Sequence, residues 1–116
     1  MTTSYKILGQ ILPTANTLSN VYVVPAATST IVSTITICNQ SAANANVDIA
    51  VVPATATLSA KNYIIKGVQV PAADTLILSP GLTLNAASYI TANNSYGTGE
   101  ASSANISFCA FGVELT

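Results

Sequence analysis

The stretch Thr30-Ile31-Val32-Ser33-Thr34-Ile35-Thr36-Ile37-Cys38-Asn39 decides the fold class. Val, Ile and Thr dominate it, and branching at Cβ already restricts their χ1, which suits a pleated, half-buried surface better than a helix. A strand sends alternate side chains to opposite faces. Ile31, Ser33, Ile35 and Ile37 are therefore expected on one face, with Val32, Thr34 and Thr36 on the other. The run Asn105 to Leu115 alternates in the same way: Ile106, Phe108 and Ala110 oppose Cys109, Phe111 and Val113. This last strand is apolar on both sides. Such a strand either sits centrally in a sheet covered on both faces or presents one face to another subunit. A subunit contact over part of its second face is expected.

Six further segments read as strands: Tyr5 to Leu12, Val21 to Val24, Asn46 to Val52, Tyr63 to Val70, Thr75 to Leu78 and Ser88 to Ala92, which makes about eight in all. Clusters of Pro, Asn, Ser, Ala and Gly separate them. No stretch combines apolar spacing near 3.6 residues with Leu, Glu, Lys and Arg behind a capping residue, so helices are not expected. Pro53 to Lys61 reads as a connection. The tripeptide Val-Pro-Ala occurs at Val24 to Ala26, Val52 to Ala54 and Val70 to Ala72. Proline cannot donate to a β ladder, so each copy reads as a strand end followed by a bend, and the match is too short to define a repeat. Short strands at this spacing predict an all-β, single-domain antiparallel β-sandwich over residues 1–116, with jelly-roll and immunoglobulin-like topologies both open.

Composition bounds the function. The chain has 116 residues, 58 of them hydrophobic and 18 of those Ala, leaving enough larger apolar side chains for one core. Only seven are charged (Lys6, Lys61, Lys66, Asp48, Asp74, Glu100, Glu114), which is 6%, where soluble domains carry about 25%. Three scattered Lys and no Arg exclude phosphate-driven nucleic-acid binding and a polybasic membrane contact. Every apolar stretch is interrupted well short of a membrane-spanning helix. The first residues lack a secretory pattern, and synthesis in a cytoplasm is expected. Cys38 and Cys109 match no metal or redox spacing and are expected as reduced core thiols, with a bridge between neighbouring strands as the alternative.

The residues that usually carry catalysis are missing or scattered. There is no His, hence no general base of the commonest kind and no triad. Asp48 is expected on the solvent face of its strand and Asp74 as a turn residue. A cysteine nucleophile would lack an activating base, and no glycine pattern cradles a phosphate. No metal, cofactor or enzymatic activity is expected. The segment Tyr89 to Ser102 is different in kind. Tyr among Asn, Ser and Gly is the composition of adaptable binding loops, so Tyr89, Asn93, Asn94 and Tyr96 are candidate binding residues. Thr2 to Lys6 is a second candidate contact, as an arm reaching a neighbour.

Four segments carry a resemblance: Tyr5-Lys6-Ile7-Leu8-Gly9-Gln10, Val21-Tyr22-Val23-Val24-Pro25-Ala26, Ile35-Thr36-Ile37-Cys38-Asn39-Gln40-Ser41 and Phe111-Gly112-Val113-Glu114. With Asn62-Tyr63-Ile64 between them, the chain resembles small virion structural proteins of tailed bacteriophages of marine and freshwater bacteria, over nearly its whole length. It departs from the family pattern at Gln40, where Arg is common, and at Ala27, where Gly commonly follows Val-Pro-Ala. The resemblance implies a β-sandwich subunit of a virion, synthesised in the host cytoplasm. Its partners would be further copies of itself and other capsid or tail proteins, with no nucleic acid and no membrane. The alternative expectation is a receptor- or carbohydrate-binding tail-fibre or baseplate domain that uses the Tyr89 to Tyr96 segment.

Overall fold

The computed structural model describes residues 2–14, 16–96 and 105–116. Nine strands are present: β1 (Thr3–Ile11), β2 (Ser19–Val23), β3 (Ser29–Asn39), β4 (Ala45–Val52), β5 (Tyr63–Val70), β6 (Thr75–Leu78), β7 (Leu82–Leu84), β8 (Tyr89–Tyr96) and β9 (Ile106–Leu115). The expected count of eight is corrected by Leu82–Leu84, whose three residues are too few to show an alternation. The connection after β4 holds one 3₁₀ turn, Ala60–Asn62, where Ser59 N donates to Asn62 Oδ1 at 2.7 Å.

The strands form two antiparallel sheets. One runs β1-β9-β3-β6, with β7 also paired to β3, and the other runs β2-β8-β4-β5. The pairings are nested: β1 with β9, β2 with β8, β3 with β6 and β7, β4 with β5. A long hairpin wound around a barrel axis pairs its strands this way, so the topology is the jelly roll and not the immunoglobulin-like order. Between the sheets lies the core, built from Val32, Ile35, Ile37, Val47, Ile49, Ile90, Ala92, Ile106, Phe108 and Ala110, all with no exposed surface.

One face assignment is corrected by a bulge. In the β3–β9 register Val32 opposes Gly112 and Thr34 opposes Phe111, which leaves Ser33 without a partner. The extra residue shifts the alternation by one. Val32, Ile35 and Ile37 therefore share the core face, while Ile31 turns outward at 40% exposure. A matching bulge at Leu8 lies in β1, between the Ile7–Phe111 and Gly9–Ala110 pairs. Beside these bulges the backbones come very close. A Cβ on Gly112 would meet the Ile31 carbonyl oxygen at 2.0 Å, and one on Gly9 would meet that of Val21 at 2.0 Å.

The three Val-Pro-Ala copies do end strands, and each turn places its next residue in the left-handed region: Ala27 at φ 55°, Thr55 at 64° and Ala73 at 58°. Pro53 and Pro71 carbonyls close two of these turns by accepting from Ala56 N and Asp74 N. A non-glycine residue pays for that conformation. Ala27→Gly is therefore expected to raise stability, by up to about 1 kcal/mol, read as a higher urea midpoint at unchanged slope.

Asn39, the second residue of the Cys-Asn-Gln-Ser motif, has a structural task. Its side chain is 1% exposed. Its Nδ2 donates to Ala43 O at 2.8 Å and Val70 O at 3.0 Å, and its Oδ1 accepts from Ser41 N and Ser41 Oγ. One amide thus satisfies the turn after β3 and ties it to the end of β5 in the other sheet. Asn39→Leu orphans those buried partners, and a loss of about 2–4 kcal/mol is expected. Chemical denaturation of the variant checks this.

Candidate assembly face

The five-stranded sheet has one face in the core and one with nothing packed on it among the described residues. β9 alternates strictly: Ile106, Phe108, Ala110 and Glu114 are buried inward, while Ser107, Cys109, Phe111, Val113 and Leu115 point outward and are half-buried. Cross-strand register extends this outer face in rows. Tyr5, Val113, Ile31 and Thr83 make one row; Ile7, Phe111 and Thr34 the next; Gln10, Cys109, Thr36 and Ile77 a third. Tyr5 is 82% exposed, Ile7 53%, Ile77 65% and Ile31 40%. Monomeric proteins seldom expose so continuous an apolar surface without using it.

No charged residue among those described lies on this face. Lys6 and Glu114 project to its opposite side, where Lys6 Nζ donates to Glu114 Oε1 at 2.8 Å. Tyr22 from the other sheet donates to Glu114 Oε2 at 2.5 Å and shares a 2.8 Å hydrogen bond with Thr30 Oγ1. This network clamps the two sheets at one end of the sandwich. Burial, and then the bond to Glu114, push the Tyr22 hydroxyl up to about 12. The Glu114 carboxyl is held below its ordinary value, first by Lys6 and then by Tyr22.

The signs give a stability window. A hydroxyl whose pKa is raised by folding contributes stability that is complete below its ordinary value near 10 and is lost as pH rises toward about 12. The depressed Glu114 carboxyl contributes above the ordinary carboxylate range, and that share is lost on acidification. Tyr22→Phe is expected to flatten the alkaline loss between pH 10 and 12, as measured by urea midpoints across that range.

Asp48, Lys66 and Asp74 are engaged as well. Asp48 Oδ1 accepts from Gly67 N at 2.7 Å, in a bulge where Gly67 adopts φ 68°, and its Oδ2 accepts from Lys66 Nζ at 3.2 Å. It sits on the outer side of β4, as expected. Asp74 accepts from Thr75 N at 2.8 Å and serves as a turn residue. A shallow open depression of about 570 Å³ is lined by Leu58, Ser59, Ala60, Tyr63 and Lys66. Its one ionic group, Lys66, already faces Asp48 and stands 4.5 Å from the Tyr63 ring centre.

The Tyr-rich candidate loop is corrected. Tyr89–Tyr96 is strand β8, held between β2 and β4. β-branched Ile90 and Thr91 and full pairing with β4 override its loop-like composition. Asn94 faces Val47 in that ladder, is 1% exposed, and its side-chain amide has no hydrogen-bond partner among the described residues. Asn93 opposes Asp48, and Tyr89 is half-buried opposite Val52. Tyr96 is described only by its backbone, and the rest of the candidate loop lies outside the described residues. Tyr89, Asn93 and Asn94 thus do not converge on a loop tip.

Two more expectations change. Cys38 and Cys109 are free, but half-exposed on the outer face and not in the core. Cys38 alternates with buried Ile37 and Cys109 with buried Phe108 and Ala110, so both point outward, with Gln10 Nε2 donating to Cys109 Sγ at 3.6 Å. Nor is Thr2 to Lys6 a free arm. Thr3 to Lys6 pair with β9, and Thr2 exchanges backbone hydrogen bonds with Thr116 at 2.8 and 2.9 Å. The candidate face is legible in part through Cys109, Phe111 and Val113. The contributions of Tyr5, Ile7, Ile31 and Ile77 need the strand register. No family model, no curated protein and no solved structure matches the chain.

Proposed function

We propose that the chain is a non-enzymatic structural subunit of a tailed-phage particle, assembling on the capsid, neck or tail through the outer face of its five-stranded sheet and the neighbouring β1 edge. The observation that carries the assembly reading is the uncharged row system around Phe111 and Val113, with Tyr5, Ile7, Ile31 and Ile77 exposed beside it. Charges ordinarily keep a β domain soluble and guard its edges. Here Lys6, Glu114, Asp48, Lys66 and Asp74 are held in ion pairs and turns. The virion setting is supported by the sequence resemblance; jelly-roll sandwiches serve capsids, lectins and cupins alike, so the topology does not choose.

A receptor-binding reading drew on the Tyr89 to Tyr96 segment, and the strand placement of those residues gives it no support. Mass spectrometry of purified particles of the phage encoding the chain tests the proposal. The chain is expected in fixed stoichiometry with the major structural proteins. Particles that lack it, from cells that express it, would overturn the assignment.

A further inference from the structure

We propose that the outer face of the five-stranded sheet is occupied by a second copy of this chain, the two sheets packed face to face about a twofold axis. The inference rests on the reading of that face as an assembly surface. A twofold interface sets the patch against itself, each residue i meeting a residue j of the same patch and j meeting i, so charges of one sign on it would face one another. The face has no described charged side chain, and its polar groups are hydroxyls and the Gln10 amide, which donate and accept alike. Phe111 and Val113 lie on β9, flanked by β1 and β3, and Tyr5, Ile7 and Ile77 carry the apolar surface out to β1 and β6, with Thr34 and Thr36 between.

Size agrees as well. The sheet is four strands wide, because β6 and β7 both pair with β3. At about 4.8 Å per strand and about 3.3 Å per residue over about ten residues, the face covers roughly 650 Å² per copy. Two such faces bury about 1,300 Å², within the range of specific, stable interfaces. Edge-to-edge pairing through β1 is the less suited geometry, because the Leu8 bulge interrupts its ladder. The face has no comparable guard.

Sedimentation equilibrium of the purified chain and of Ile31→Lys, Ile77→Lys and the off-face control Val23→Lys tests this, with circular dichroism confirming that each is folded. All three positions are exposed, at 40%, 65% and 48%. A dimer is expected. A twofold interface counts each change twice, so Ile31→Lys and Ile77→Lys are expected to weaken it by about 100-fold and Val23→Lys to leave it unchanged. A dimer indifferent to both face variants overturns the geometry. A wild-type monomer at high micromolar concentration that still attaches to particles lacking it, with attachment lost in Ile31→Lys, overturns the second copy and leaves the assembly face standing. A monomer whose attachment is also unaffected by Ile31→Lys overturns both.

Discussion

Gly112→Ala is expected to prevent folding, or to cost at least about 3 kcal/mol, a large share of the 5–15 kcal/mol that holds a domain together. The added Cβ would lie 2.0 Å from the Ile31 carbonyl oxygen and 3.1 Å from Val32 Cα. Both are backbone atoms of the neighbouring strand, at the Ser33 bulge, so no side chain can swing aside. Relief requires β3 and β9 to separate, which breaks the ladder at the centre of the sheet. Gly67→Ala is the informative comparison. Gly67 also resists a side chain, through its φ of 68°, but nothing lies within 4 Å of its added Cβ. Only the conformational cost of about 1 kcal/mol applies there. Soluble yield and urea midpoints of the two variants separate close approach from backbone conformation as the cause.

The second large effect is on assembly. Tyr5 and Ile31 flank Val113 in a single row across three strands, and both are exposed, so lysines at the two positions leave the core untouched. Tyr5→Lys with Ile31→Lys is expected to abolish self-association and attachment while leaving the monomer's own unfolding free energy within about 0.5 kcal/mol. The electrostatic origin has its own check. Ile31→Glu alone should also dissociate, and mixing it with Ile31→Lys should restore a heterodimer, because the two copies of the patch then carry opposite charges. Size-exclusion chromatography with light scattering reads both results.

Much of this fold is visible in residue order because β-branched side chains and period-two alternation are local properties. The eight segments read as strands are all strands, and the three prolines of Val-Pro-Ala mark their ends. What escapes is whatever depends on pairing. Ser33 looks like an ordinary strand residue until its partner strand shows that it is unpaired, and the slip moves Ile31 from the core to the surface. Leu82–Leu84 is three residues long and becomes a strand only by lying beside Thr30 to Val32. Asn93 to Tyr96 has loop-like composition and extends the strand read at Ser88 to Ala92 because β4 pairs with it.

The candidate face divides the same way. Its spine on β9 is legible, since Cys109, Phe111 and Val113 oppose a second apolar set on one strand. Its breadth is not, because Tyr5, Ile7 and Ile77 join it through contacts between residues far apart in the chain. Ala27 is strained for a reason that residue order alone does not show. The position lies in the left-handed region, where glycine is the unstrained choice.

Cys38 and Cys109 make the face its own reporter, since both thiols are free and open on it. The direct measurement is their rate of modification by a small maleimide, in the dissociated Tyr5→Lys, Ile31→Lys chain and in intact assembled particles. A covered face predicts reaction at least about tenfold slower in the particles, with the difference lost on disassembly. Equal rates in the two states would mean that the face stays open to water, and would contradict its role in assembly.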